Sequence, residues 1–192
     1  QRKQSGFTLV GSAIVLVIIG LLLGGVLKGQ QMIENARIKA VVTDMNGVSA
    51  AFNSYFDRYR ALPGDEALGT MTARGWTVTE GGSGNGVLAL PVASTFTNPP
   101  GTAASEQDGF WQALRASEFL SGDPAAVGAA ALPRTGTGGL IGVALNVYGN
   151  AGPNVCVSGL TTRQVSGIDV MIDGALPAGG IGNNIGTLRA AT

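Results

Sequence analysis

Residues 5–29 read SGFTLVGSAIVLVIIGLLLGGVLKG, and no proline follows before Pro63. The stretch 7–27 contains no charged residue. As an α-helix it would span about 32 Å, which matches the roughly 30 Å hydrocarbon core of a bilayer. The sequence therefore predicts a membrane-spanning helix near the N-terminal end of the chain.

The same helix is predicted to continue beyond the apolar stretch. From position 41 the large residues are spaced alternately by four and three, which places them on one face of a helix. We call these six residues the seam: Val41, Met45, Val48, Phe52, Tyr55 and Tyr59. They are predicted to pack against a soluble head, and an unbroken helix over 7–60 would be about 80 Å long.

The end of this helix is predicted at 61–65, which read ALPGD. A residue before proline is disfavoured in the α conformation, and Pro63-Gly64 is typical of a turn. Residues 66–100 are predicted to be mostly loop, with a flexible glycine-rich run at 81–86 and a short strand at 87–93.

The remaining chain predicts a small mixed head. A second helix is expected from Ser105, an N-cap residue, to about Leu120, with Phe110, Trp111 and Leu114 in the core. Strands at 140–148 and 154–160 are expected to pair in antiparallel fashion through a turn at 149–153.

Thr161 or Thr162 is predicted to cap a third helix that runs to about Ile172. Its inward residues would be Val165, Ile168 and either Met171 or Ile172. A last strand near 185–189 would complete the sheet. The predicted fold class is α+β: a long N-terminal helix packed on a small antiparallel sheet, with one or two additional helices.

Composition argues against several functions. The chain has no histidine, which removes Ser-His and Cys-His catalysis and imidazole metal sites. Its net charge is zero, so charge gives no reason to expect a nucleic-acid partner. Cys156 is the single cysteine, predicted to be a small buried residue without an intrachain disulfide. No catalytic residue and no enzyme activity are predicted.

Asp169 and Asp173 are the only metal-ligand candidates that the sequence suggests. They lie four residues apart, on one face of the predicted third helix. Calcium requires six to eight oxygen ligands, and two carboxylates on one helix do not supply them. We therefore predict no cofactor, and interpret these residues as a solvated face or as acceptors for turns and caps.

The N-terminal residues carry a resemblance to a known family. A basic start, QRKQSG, is followed by Phe7-Thr8-Leu9-Val10, the apolar span, the amphipathic helix and the LPGD stop, in that order. Together these features resemble type IV pilins and the pseudopilins of type II secretion. The match covers roughly the first third of the chain. A weaker similarity lies in the FW-x-x-L pattern of 110–114.

The resemblance implies how the chain is processed and divided. A prepilin peptidase would cut between Gly6 and Phe7, and the new amine of Phe7 would be N-methylated. Residues 1–6 would be a leader remnant, 7–28 the transmembrane and filament-core helix, 29–60 the amphipathic half of that helix, and 61–192 the globular head. Because the chain does not begin with Met, some upstream residues are expected.

The resemblance also implies partners and location. Partners would be other copies in a filament, related pilins, the peptidase and an inner-membrane assembly platform. Arg2 and Lys3 precede the span, so the N-terminus is predicted to be cytoplasmic and the head external. The precursor would lie in the bacterial inner membrane, and the mature chain in a periplasmic or surface filament.

Glycines of the span are the candidate packing residues. Gly20, Gly24, Gly25 and Gly29 form small-xxx-small spacings, which allow helices to approach closely in lipid, although glycine is common in transmembrane helices in general. They also lower helix stability, so 20–29 is predicted to be the least stable part of the helix.

Gly11 departs from the family pattern, in which a glutamate stands at this point and is thought to pair with the terminal amine of a neighbouring subunit. Three interpretations stay open: a minor or initiating subunit, an assembly-defective variant, or assembly through packing alone.

Three functions stay open at this point. The first is a structural subunit of a type IV pilus-like filament. The second is a pseudopilin of a type II secretion system. The third, from a different class, is a monomeric membrane-anchored periplasmic binding domain.

Overall fold

The computed structural model describes residues 5–97, 106–174 and 186–189, with side chains from Val10 onward. One helix, α1, runs without interruption over Ser5–Tyr59, a length of 55 residues. At the usual rise per residue it is about 80 Å long. The prediction of a single long N-terminal helix is confirmed.

The end of α1 lies at the predicted turn. Arg60 adopts φ 53° and Gly64 φ 96°, two left-handed conformations that no helix continues through. Position 64 also requires glycine for space, because a Cβ there would lie 2.5 Å from the carbonyl oxygen of Glu106. The turn therefore brings the end of α1 against the start of a helix in the head.

The head combines short helices with a two-stranded sheet. Its helices are α2 at Leu68–Ala73, α3 at Glu106–Ala116 and α4 at Thr162–Ile172. Single 3-10 turns lie at Val92–Ser94, Gly128–Ala131 and Val147–Gly149. Strands β1, Ile141–Leu145, and β2, Pro153–Val157, are antiparallel, with Ile141 opposite Val157. The predicted α+β class is confirmed.

Two hydrophobic clusters attach the head to α1. In the larger one, Val48 and Tyr55 of α1 are buried with Trp111, Leu114 and Val143. The smaller one joins α1 to α4 through three buried residues, Ile38, Val41 and Ile168. A Cβ at Gly167 would lie 2.5 Å from Cδ1 of Ile38, so this glycine allows the two helices to approach closely. The core therefore lies along one side of the second half of α1.

The predicted strand at 87–93 is wrong. Residues 87–91 have no regular structure, and the 3-10 turn at Val92–Ser94 follows them. The backbone amide of Ala89 donates to the carboxylate of Glu106, while the carbonyl of Leu90 accepts from the amide of Leu145. The carboxylate of Glu106, rather than a neighbouring strand, therefore accepts the hydrogen bond of the Ala89 amide.

Several predicted elements are shorter in the structure. Helix α3 ends at Ala116 and not near Leu120, because the amides of Phe119 and Leu120 both turn back to the carbonyl of Leu114. The predicted cap, Ser105, lies outside the described residues. Strand β1 ends at Leu145, because Asn146 and Tyr148 adopt left-handed conformations with φ 54° and 47°.

The second strand ends at Val157 and not at residue 160. Helix α4 begins as predicted, with Thr161 as its N-cap in a reciprocal capping box with Gln164. Ile168 is buried and Val165 and Ile172 are half-buried, whereas Met171 is exposed.

The last predicted strand is not formed where the structure describes it. Residues 186–189 have no strand pairing, and Ile185 lies outside the described residues. Instead the amides of Thr187 and Leu188 donate to the carboxylate of Asp173. The glycine-rich run at 81–86 is irregular, as predicted, and its amides at Asn85 and Gly86 donate to Asp65.

Candidate functional site

The first half of α1 has an apolar surface that nothing in the described chain covers. Between residues 10 and 27 the exposed fraction of the large apolar side chains ranges from 46% at Ile19 to 73% at Leu21. These residues are Val10, Ile14, Val15, Leu16, Val17, Ile18, Ile19, Leu21, Leu22, Leu23, Val26 and Leu27. We call residues 10–27 the uncovered segment.

The uncovered segment is long and apolar enough to cross a membrane. Its best 18-residue window has a mean hydropathy of 2.7, and none of that window is buried within the chain. A core helix of a soluble head would instead have most of its window covered. The exposure continues past Lys28 to Met32 and Ile33, which are 65% and 56% exposed.

The glycines of the span face open space. A Cβ placed at Gly11, Gly20, Gly24, Gly25 or Gly29 would meet no atom within 4 Å outside its own helix. No contact within the described chain explains these glycines, in contrast to Gly167, which faces Ile38. Their packing role stays a prediction about other molecules.

The seam lies where α1 meets the head. Val41 and Tyr55 are fully buried and Val48 is 3% exposed. Met45, Phe52 and Tyr59 are half-buried against the two clusters. The ring of Phe52 stacks on Phe110 with centroids 6.2 Å apart.

A charged network joins the end of α1 to the loop that follows it. The hydroxyl of Tyr55 donates to Oε2 of Glu66 at 2.5 Å. The guanidinium of Arg74 donates to both carboxylate oxygens of Glu66, at 2.8 and 2.6 Å. Tyr55 is fully buried and Glu66 is 7% exposed, whereas 28% of the Arg74 side chain is exposed, so the guanidinium reaches a buried acceptor from the surface.

The electrostatic effects agree with this geometry. Burial raises the pKa of Tyr55 well above its usual value, and its hydrogen bond with Glu66 raises it further. The hydrogen bonds with Glu66 raise the pKa of Arg74. Tyr55 therefore stays neutral and acts as a donor, while Arg74 stays cationic.

Aromatic rings surround the same guanidinium. The Arg74 guanidinium carbon lies 4.6 Å from the ring centroid of Tyr59 and 5.1 Å from that of Trp76. The rings of Tyr59 and Trp76 meet edge to face at 5.3 Å. Cation–π contacts of this kind hold the last turn of α1 against the head. The arrangement attaches the last turn of α1 to the loop and helix that follow it.

The sequence did not reveal this network. The sequence places Asp65 and Glu66 at the predicted turn after α1 and gives no signal that singles out Arg74. Glu66 and Arg74 are eight residues apart across α2, so no helical or strand spacing connects them. The one available signal was the position of Glu66 directly after the LPGD turn.

One of the two candidate calcium ligands, Asp173, accepts hydrogen bonds from the backbone. The carboxylate of Asp173 accepts the amides of Thr187 at 2.9 Å and Leu188 at 2.7 Å. Among the described residues, no group of three or more Asp, Glu, His or Cys side chains could hold a metal ion. The geometry at Asp173 is that of a turn acceptor.

The two other singled-out residues lie in the head. Trp111 is fully buried in the larger cluster. Cys156 is half-buried rather than buried, and burial raises the pKa of its thiol.

Comparison with known proteins bears on the N-terminal part of the chain. A family model described as the prokaryotic N-terminal methylation motif matches residues 1–27. The chain therefore carries the signature of type IV pilins and pseudopilins, which supports a pilin-like protein processed by a prepilin peptidase. No match was found among curated proteins or among solved structures.

Proposed function

We propose that this chain is a structural subunit of a type IV pilus-like filament, cut after Gly6 and assembled by packing of its N-terminal helices. The observation that carries the proposal is the uncovered segment, an apolar helix surface joined without a break to a packed head. The methylation motif at 1–27 lies on the same residues.

The uncovered segment has to be covered by something other than its own chain. Each buried Val, Leu or Ile side chain contributes about 1.5–3 kcal/mol relative to exposure in water. Lipid meets that need in the precursor, and the helices of other copies would meet it in a filament. A chain that exchanges one cover for the other leaves the membrane without exposing its apolar surface.

The attachment of α1 to the head suits a filament subunit. The seam, the Glu66–Arg74 ion pair and the two clusters hold the helix from Ile38 to Tyr59. Motion at the end of α1 is restricted, because Tyr55 and Tyr59 contact the network directly. Each copy would therefore present its head at one fixed orientation around a helical core.

Electron microscopy of cells that produce the chain tests the proposal. We expect filaments that disappear when the chain is deleted and when Leu16→Asp is introduced, because the charge cannot be buried in a helical core. Leu16→Ile, which keeps an apolar side chain there, should retain them. Long surface fibres would indicate a pilus, and short periplasmic ones a type II secretion pseudopilus. No polymer with the unmodified chain would instead favour a monomeric anchored domain.

Gly11 supports a second candidate, a minor or initiating pilin. A subunit without a carboxylate at this position offers no partner to the terminal amine of an identical neighbour. We expect Gly11→Glu to increase the number of filaments if the chain acts as a repeated subunit. An unchanged number, with filaments that contain mostly a related pilin, would favour the initiating role.

A further inference from the structure

We infer that residues 186–189 form a releasable strap that covers the open edge of strand β2. The strap and β2 line the same cavity, whose volume is about 460 Å³. Helix α4, the turn at Val147–Gly149, Met45 of α1 and residues from 92 to 96 also line it. The inference concerns the head alone and does not depend on the proposed filament.

Strand β2 has one paired and one open edge. The amide of Ser158 donates to the carbonyl of Leu140, and the amide of Asn146 donates to the carbonyl of Gly152. In an antiparallel pair, opposite residues that exchange hydrogen bonds alternate with opposite residues that do not. The bonded pairs between these two ends are therefore Gly142–Cys156 and Ala144–Asn154. The backbone groups of Val155 and Val157 therefore point away from β1. Within the described residues they have no hydrogen-bond partner.

The cavity lies against this open edge. Asn154, Val155, Cys156 and Val157 all line it, although successive side chains of a strand point to opposite faces. A cavity bordered by both faces of a strand lies at its edge. Open edges are liable to pair with other chains, and proteins commonly cover them.

The strap is held by polar bonds from two sides. Asp173, at the end of α4, accepts the amides of Thr187 and Leu188. From the β1–β2 turn, Asn150 Nδ2 donates to the carbonyl of Thr187 at 2.9 Å. Arg189 Nη1 donates to the carbonyl of Tyr148 at 2.6 Å.

The position of Gly186 is part of the same arrangement. It adopts φ +116°, and a Cβ there would lie 2.7 Å from Oδ2 of Asp173. The amides of Thr187 and Leu188 lower the pKa of Asp173, as expected for a carboxylate that accepts two N–H groups. Leu188 adds one half-buried side chain to the smaller cluster.

These bonds permit release without unfolding of the head. Gly186 and Thr187 are exposed, and the strap forms no ladder with β2. A segment held by a few exposed hydrogen bonds and one apolar side chain opens locally, well before the core does. Opening would expose the edge of β2 and the thiol of Cys156.

Cys156 makes the inference testable, because it is the single cysteine and lines the covered cavity. The rate of its labelling by N-ethylmaleimide would be measured on the full chain in detergent micelles under native conditions. We expect Asp173→Ala to raise the rate about tenfold, since it removes two charge-assisted bonds. Asp173→Asn, which keeps one acceptor oxygen, should give a smaller increase.

Asp169→Ala is the matched control, one turn earlier on α4, and should label at the rate of the unmodified chain. Asp173→Ala removes a negative charge from the C-terminal end of α4, which stabilises that helix. If Cys156 were labelled through fraying of α4, Asp173→Ala would therefore be labelled more slowly than the unmodified chain. Labelling of Asp173→Ala at the unmodified rate would overturn the strap.

Hydrogen exchange on the unmodified chain gives a second, independent test. The strap requires that the amides of Thr187 and Leu188 exchange more slowly than those of an unstructured peptide. Exchange at the peptide rate would contradict the strap even if Asp173→Ala proved unable to fold.

Discussion

Leu16 and Val48 are apolar residues of one uninterrupted helix, yet 69% of Leu16 is exposed and only 3% of Val48. The difference does not come from the backbone, which is helical at both positions. It comes from what packs beside the helix: clusters of the head cover 38–59, whereas the described chain offers nothing to 10–27. One half of α1 therefore contributes to the fold, and the other half is available to lipid or to other copies.

The largest expected effect comes from placing a charge in each half. Val48→Asp should unfold the head, because an unpaired buried carboxylate costs several kcal/mol, a large part of a domain's stability. Leu16→Asp should leave the thermal unfolding of the head unchanged while preventing membrane insertion or assembly. Thermal unfolding of the full chain in micelles and membrane fractionation would measure the two effects. Equal unfolding temperatures for both variants would contradict the division of α1 into a packed half and an uncovered half.

The charged network should have the next largest effect. Glu66→Gln removes the bidentate ion pair with Arg74 and is expected to destabilise the head by about 2 kcal/mol in chemical denaturation. Asp57→Asn is the control, since Asp57 and Arg60 form an exposed pair 3.7 Å apart that contributes little. If both variants unfold at the same denaturant concentration as the unmodified chain, the network does not hold the end of α1.

The glycines should give the smallest and most specific effect. Gly167→Ala is expected to destabilise the head by about 1 kcal/mol, because the clash of the new Cβ with Cδ1 of Ile38, 2.5 Å away, outweighs the higher helix propensity of alanine. Ile38→Val removes that carbon, so the double variant should recover part of the loss. Gly24→Ala meets no neighbour and should not alter unfolding of the head, although closer helix packing in a filament would be hindered. If Gly24→Ala destabilised the head and Gly167→Ala did not, the division of α1 into a packed half and an uncovered half would be contradicted.

Features that depend on local sequence were predicted well. The length of α1, the LPGD turn, the β1–β2 pair and the Thr161 cap of α4 each follow from residues within a few positions of one another. The residues of the seam follow from the alternating spacing of four and three that places side chains on one face of a helix.

Features that depend on distant side chains were missed. The carboxylate of Glu106 accepts a hydrogen bond from the amide of Ala89, where the sequence favoured a strand. The carboxylate of Asp173 accepts hydrogen bonds from the amides of Thr187 and Leu188, where the sequence favoured another. The Tyr55–Glu66–Arg74 network likewise joins residues from a helix, a turn and the end of α2. No periodicity relates these positions, because only the folded head brings them together.

We propose that the chain is cut after Gly6 and that other copies then cover the uncovered segment in a filament. The most direct test of this proposal is the mass of the N-terminal peptide from chain recovered in a sheared, sedimentable filament fraction. We expect this peptide to begin at Phe7 and to carry an N-methyl group. Recovery of the chain solely from the membrane fraction, with residues 1–6 still attached, would contradict it.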